Sequence, residues 1–215
     1  MKFINFHTHK FTKQENILEI INQYPQKFEE NIPNFSIGIH PWKIEPLSIN
    51  VDLEFIELVL KNKNPLALGE CGLDKKIEIP FDLQIEVFEK QLQLAIKYKK
   101  PLIIHCVGAF QEIIEIKKKL KINVAMIIHG FSKNEQIAKQ LLDNGFYLSF
   151  GKHLLQNPDL EIVFKDMPND KFFLETDSSD YHIEEVYAKA SIYKKIEILK
   201  LKEIINENFR TVFQS

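Results

Sequence analysis

Seven times in this 215-residue chain a short apolar run ends on a polar or charged residue and gives way to a stretch with helical periodicity. The runs are KFINF, FSIGI, LALG, PLIIH, VAMIIH, FYLSF and FFLET. They are built of Ile, Val, Leu and Phe and are apolar on both faces, as strands of a parallel sheet covered by helices are. The intervening segments read as amphipathic helices. TKQENILEIINQY opens with Thr12 and Glu15 in capping-box spacing and then presents Ile17, Leu18 and Ile21. DLQIEVFEKQLQLAIKYKK places Ile85, Phe88, Leu92, Ala95 and Ile96 on one side and ends before Pro101. SKNEQIAKQLLDNG offers a second capping box in Ser132 and Glu135, with Gly145 just beyond the helix end. The alternation predicts an α/β fold, and seven such runs favour a compact, distorted TIM-type (β/α) barrel over an open sheet. The eighth strand is either the weak QKFEE stretch after the first helix or reduced to nothing. The whole chain, 1–215, is expected to form a single barrel domain with no linker, repeat or low-complexity tract.

Composition excludes several classes. Apolar residues make up 45% and charged residues 27%, an ordinary balance for a globular protein. No apolar run is long enough for a bilayer, and no leader pattern stands at the N-terminus, so a cytoplasmic protein is expected. Two cysteines, Cys71 and Cys106, fit free thiols in a reducing compartment. A net charge of −2 advertises no global nucleic-acid surface, and the run IKKKLK reads as the solvated side of a helix.

The chemistry lies where the runs end. In HTH, residues i and i+2 of a strand point the same way, so His7 and His9 can grip one ion. The later runs end in His40 (GIHPW), Glu70 (GECGLD), His105, His129 and Asp177 (ETD). Barrel active sites lie at this end of the strands. His7, His9, His105 and His129 supply neutral nitrogen donors, and Glu70 and Asp177 supply carboxylates, a set suited to Zn, Mn, Mg or Fe. Six ligands exceed the needs of one catalytic ion and suit two divalent metal ions, with Glu70 the natural bridge.

These residues, in this order, resemble the TatD family of metal-dependent hydrolases, within the amidohydrolase-like barrel group. The resemblance runs over nearly the whole chain, through FHTH, GIHPW, LALGECGLD, QIEVFEKQLQLA, PLIIH, IIHGFS, YLSFG, FFLETDS and NFRTVF. It implies a distorted TIM barrel, a divalent-metal centre and phosphodiester hydrolysis, as a deoxyribonuclease acting from the 3′ end. It implies that His7, His9 and Glu70 hold one metal, that Glu70, His105 and His129 hold the other, and that Asp177 is both ligand and general base. Asn5 stands where relatives commonly carry Asp. The chain is shorter than most relatives, lacks the Arg- and Pro-containing loop after Ser179, and has Cys106 near a position where many carry Arg. These departures weaken the expectation of tight DNA binding and leave the metal set intact.

Other residues admit two readings each. His40 is a phosphate contact or structural; Trp42, the one tryptophan, stacks a nucleobase or packs. Asp74 orients a histidine ligand or makes a turn. Asp177 could also cap a helix. Lys152 reads as a surface lysine that could meet a phosphate, and His153 and His182 fall outside the ligand set. The expected substrate is a weakly held, single-stranded DNA or oligonucleotide, with no membrane and no obligate protein partner. The competing readings are an amidohydrolase-like enzyme cleaving a small ester, lactone or amide, and a metal-bearing scaffold without turnover.

Overall fold

The computed structural model describes residues 1–214. Eight strands occur among them: β1 (Phe3–Thr8), β2 (Ile17–Gln23), β3 (Phe35–Ile37), β4 (Ala67–Asp74), β5 (Leu102–Val107), β6 (Met126–Ile128), β7 (Tyr147–Phe150) and β8 (Phe172–Leu174). The helices are α1 (Ile49–Asn62), α2 (Phe81–Tyr98), α3 (Phe110–Lys119), α4 (Glu135–Asp143), α5 (Lys152–Gln156), α6 (Leu160–Lys165), α7 (Ile183–Lys194) and α8 (Ile198–Phe213). The strands run parallel in one sheet in the order of the chain, β1 to β8, the strand order of a TIM-type (β/α) barrel. By internal packing the chain divides into two compact units, one of residues 1–21 with Ile128 onward, the other Asn22–Ile127. The divisions fall within β2 and β6.

In the first unit β1 pairs with the start of β2, Phe3 opposite Ile17 and Asn5 opposite Glu19. β7 pairs with β8, Leu148 opposite Phe172 and Phe150 opposite Leu174. Helices α7 and α8 cover β1. The buried Tyr187 hydroxyl of α7 donates to the carbonyl of Ile4 at 3.2 Å and accepts from its N–H at 3.1 Å. From α8, Asn208 Nδ2 donates to the carbonyls of Asn169 and Phe172 at 2.8 and 2.9 Å, which ties the helix to β8. Phe6 stacks on Phe173, ring centroids 4.7 Å apart.

In the second unit β4 is the central strand, paired with β3 and β5. It lies so close to β5 that a Cβ on Gly69 would come within 2.3 Å of the Ile103 carbonyl and one on Gly72 within 2.0 Å of the His105 carbonyl. Both glycines also have φ values, +136° and +146°, that side chains rarely adopt. The GECG sequence is therefore a steric requirement of this strand pair. α2 lays Val87, Phe88, Leu92 and Ala95 against the sheet and ends at Lys99 in the left-handed conformation, φ 52°.

Two local expectations are corrected. The stretch read as the first helix is strand β2, and it is the eighth strand; QKFEE forms a single 3-10 turn and loop. Only the eight residues 9–16 separate β1 from β2, fewer than a helical crossover needs. A helix with Ile17, Leu18 and Ile21 on its buried face would have exposed Glu19, whereas Glu19 is buried. Thr12 does not cap a helix: its N–H and hydroxyl both donate to the Glu19 carboxylate, at 3.0 and 2.9 Å. In α4 the cap is Asn134, whose side chain accepts from the Ile137 N–H, rather than Ser132, because the helix begins one residue after Asn134. Gly145 follows the helix with φ 73°, as expected.

The strand assignment predicts that Ile20→Ala lowers unfolding stability by about 2–5 kcal/mol, the range for emptying a buried aliphatic site. At an exposed position the same substitution would be near neutral. The shift of the urea midpoint at constant m-value decides between them.

Candidate metal centre

The first unit brings three sequence-expected ligands together from β1 and the residues after β8. Asp177 Oδ1 lies 3.3 Å from His9 Nε2 and 3.8 Å from His7 Nε2. Two donors bound to one ion at about 2.0–2.2 Å stand about 2.8–4.0 Å apart at coordination angles of about 90–130°, so both spacings are compatible with one divalent ion. The placement of Asp177 is enforced by backbone. Its N–H donates to the His7 carbonyl at 2.9 Å, and its carbonyl accepts from the His9 N–H at 3.2 Å. One residue before it, the Thr176 N–H donates to Asn5 Oδ1 at 3.0 Å while Asn5 Nδ2 donates to Thr176 Oγ1 at 2.8 Å. Asp177 is thereby held at φ 53°, a conformation Asp tolerates better than most residues. It does not cap α7, whose N-cap is His182.

His129, at the end of β6, packs its ring on His7 with centroids 4.5 Å apart. Its Nδ1 faces Glu175 Oε1 at 3.4 Å. With that nitrogen donating, Nε2 keeps its lone pair for an ion, the usual arrangement of a carboxylate orienting a metal-binding histidine. Glu175 is fully buried and also accepts the Ser149 hydroxyl. Sequence reasoning passed over Glu175. Its signal was a charged residue closing a run apolar on both faces, where burial demands a partner.

The second unit gathers Glu70, His105 and His40. Glu70 Oε1 lies 3.0 Å from His40 Nε2 and 3.1 Å from His105 Nδ1. The other nitrogen of His105, Nε2, faces Asp74 Oδ2 at 3.0 Å. Asp74 therefore does what one of its two readings expected, orienting a candidate ligand. It also makes the turn, since Oδ1 accepts the Lys76 N–H at 2.8 Å. Burial pushes the Asp74 carboxyl up, but hydrogen bonds from Trp42, Lys76 and His105 outweigh it and hold its pKa below the ordinary value. It stays an anion and a good acceptor for His105.

His40 is differently placed. Its Nδ1 accepts the Trp42 N–H at 3.0 Å, so the neutral ring carries its proton on Nε2 and donates toward Glu70. That tautomer has no Nε2 lone pair for a metal, so His40 steadies the Glu70 carboxylate. Trp42 is 59% exposed yet anchored, its Nε1–H donating to Asp74 Oδ2 at 2.7 Å. Two glutamines of α2 set these strand ends. Gln91 exchanges two hydrogen bonds with the backbone of Ile39, and Gln84 exchanges two with that of Asp74. The Glu70 N–H donates to Asn22 Oδ1 at 2.7 Å. Cys71 is buried, which pushes its thiol far up and leaves it no thiolate for a metal.

As the one tryptophan, Trp42 can report on the centre, since its ring centroid lies 5.8 Å from that of His105. Titration with Co²⁺ or Mn²⁺ is expected to quench its fluorescence saturably, and Glu70→Ala to weaken that quenching phase at least tenfold in metal concentration. An unchanged titration in the variant would remove Glu70 from the ligand set.

Residues 1–214 match the sequence model of TatD-related DNases. The chain is 28% identical, over 92% of its length and 81% of the relative's, to a protein of Buchnera aphidicola named as a metal-dependent hydrolase. It is 34% identical, over 77% of its length and 62% of the relative's, to a protein of Enterocytozoon bieneusi named as a homologue of the deoxyribonuclease TATDN1. Its fold is that of the crystallised TatD homologue YJJV of Escherichia coli, with a TM-score of 0.85, 21% identity, and 99% and 98% of the two chains covered. No helix among the described residues is long and apolar enough to cross a membrane. With nearly every residue matched by that model, the chain belongs to the family of TatD-related DNases.

Proposed function

We propose that this metal-dependent hydrolase cleaves phosphodiester bonds, at DNA ends or in short oligonucleotides. The observation that carries the reading is the gathering of imidazole and carboxylate donors within or just after the parallel strands: His7, His9 and Asp177 in one unit, Glu70 and His105 in the other. His7, His9 and Asp177, with His129 beside them, would hold one divalent ion, and Glu70 and His105 would serve as ligands of a second. When bound, such ions supply Lewis acidity toward phosphoryl oxygens and lower the pKa of water. The protein's part is to hold and move protons. Asp177 accepts the proton of the attacking water at a carboxylate oxygen. His40, donating toward Glu70, and Asp74, accepting from His105, keep their partners in the required orientation. The relative named for a deoxyribonuclease supports DNA as the substrate class.

The direct test incubates metal-replete protein with end-labelled single-stranded DNA, a carboxylic ester and an amide, with Mn²⁺, Mg²⁺ or chelator. Metal-dependent shortening of the DNA from its 3′ end is expected. Turnover of the ester or amide with none of the DNA would overturn the reading. Asp177→Asn keeps the side chain's size and removes its basic oxygen. It is expected to fold normally with the rate down at least about 100-fold, the usual worth of a general base. More than a third of wild-type turnover under saturating metal would sink that role. DNA is expected to be held by few phosphate contacts, with a slope of log affinity against log salt equivalent to about 2–4 of them. A slope near 8 would reveal a basic surface that the −2 net charge conceals.

A further inference from the structure

We propose that Lys152 is the residue through which the site grips an anionic oxygen of its substrate, a phosphate ester oxygen in the reading above, on which this inference rests. Lys152 opens α5, two residues past the end of β7. Its position follows from Gly151. A Cβ there would stand 2.9 Å from the Glu175 carbonyl and 3.0 Å from Glu175 Cγ, so the chain can pass this close to the end of β8 only as glycine. Tight passage at Gly151 delivers Lys152 beside Asp177, with Nζ 3.3 Å from Oδ2. The Asp177 carboxylate is thus divided. Oδ1 faces His7 and His9, and Oδ2 faces the ammonium.

That division has an electrostatic consequence. His7 and His9 bring no negative charge as metal ligands, so a divalent ion held by them and Asp177 keeps a net positive charge. The ammonium beside it then faces a cation that shares its only nearby counter-ion in the triad. Like charges side by side in a half-buried site repel, and an anion between them relieves this. Lys152 is one-third exposed, so its ammonium can be reached from solvent. An ammonium at this place is complementary to an anionic oxygen of a substrate. A lysine serves here as a point charge and does not demand one ligand geometry.

The test uses the full chain loaded with Mn²⁺ and inorganic phosphate as the probe, with affinity read by calorimetry and metal content by elemental analysis. Lys152→Gln is expected to weaken phosphate binding about tenfold or more, as loss of one charge-assisted contact does. Lys152→Arg should stay within about threefold of wild type, and Lys165→Gln, on the exposed side of α6, should change nothing. For a chromogenic phosphodiester, KM should rise in Lys152→Gln with metal content unchanged. The proposal is overturned if wild type does not bind phosphate, or if Lys152→Gln binds it as wild type does. It is also overturned if the variant loses Mn²⁺ in step with phosphate, since Lys152 would then merely prop Asp177. Phosphate binding through Lys152 in a protein that cleaves no phosphodiester would instead reject the proposed function and leave the contact standing.

Discussion

Strand ends that carry reactive side chains leave backbone groups buried beyond the reach of the sheet, and the structure satisfies them with carboxamides. Gln91 pairs with both backbone groups of Ile39 and Gln84 with both of Asp74. Asn5 does the same for Thr176, taking its N–H and giving to its hydroxyl. A carboxamide carries donor and acceptor on one rigid plane, so a single side chain can stand in for a missing neighbouring strand. Each such bond adds only about 1 kcal/mol net, but removing the side chain orphans a buried group at about 1–3 kcal/mol. The residues so held are next to His40, next to Asp177, and Asp74 itself. The polar residues that fix the site therefore sit one step behind those that would do chemistry.

Asn5 illustrates how much this depends on the neutral amide. The family pattern commonly has Asp at this place. A carboxylate accepts only, so it would need the Thr176 hydroxyl to turn and donate. It would also add a buried negative charge two residues from His7 on the same face of β1. The amide meets both Thr176 groups without charge, leaving Asp177 as the anion of its triad. The substitution thus preserves the geometry of the strand end while making an ion bound there more positive.

Much of this was legible in the chain, and the parts that were not share a physical reason. Seven strands showed as runs buried on both faces, which no solvent-facing element imitates. The eighth, ILEIINQ, did not, because a short run of Ile and Leu matches helical and extended periods equally well and only pairing with β1 decides. His7, His9, Glu70, His105, His129 and Asp177 stood out because polar groups closing apolar runs are conspicuous, although β4 and β5 run on past Glu70 and His105 to Asp74 and Val107. Gln84 and Gln91 did not, since glutamine on a helix reads as solvated until a strand end is found beneath it. His40 was visible as a residue, but its part depends on which ring nitrogen is engaged, and that is set by the Trp42 N–H in the turn that follows.

The division of labour among carboxylates follows from the same bonding. Four acids lie close to the histidines: Glu70, Asp74, Glu175 and Asp177. Asp74 and Glu175 each face a histidine nitrogen and are further committed to other donors, Trp42 and Lys76 for one, Ser149 for the other. Their oxygens are spent on orientation. Asp177 divides its oxygens between two histidines and a lysine, and Glu70 sets one oxygen between His40 and His105. A cation competing for these acids meets fully engaged oxygens at Asp74 and Glu175 and exchangeable partners at Glu70 and Asp177. Hydrogen-bond satisfaction alone thus sorts four chemically similar groups into two that position and two that can bind.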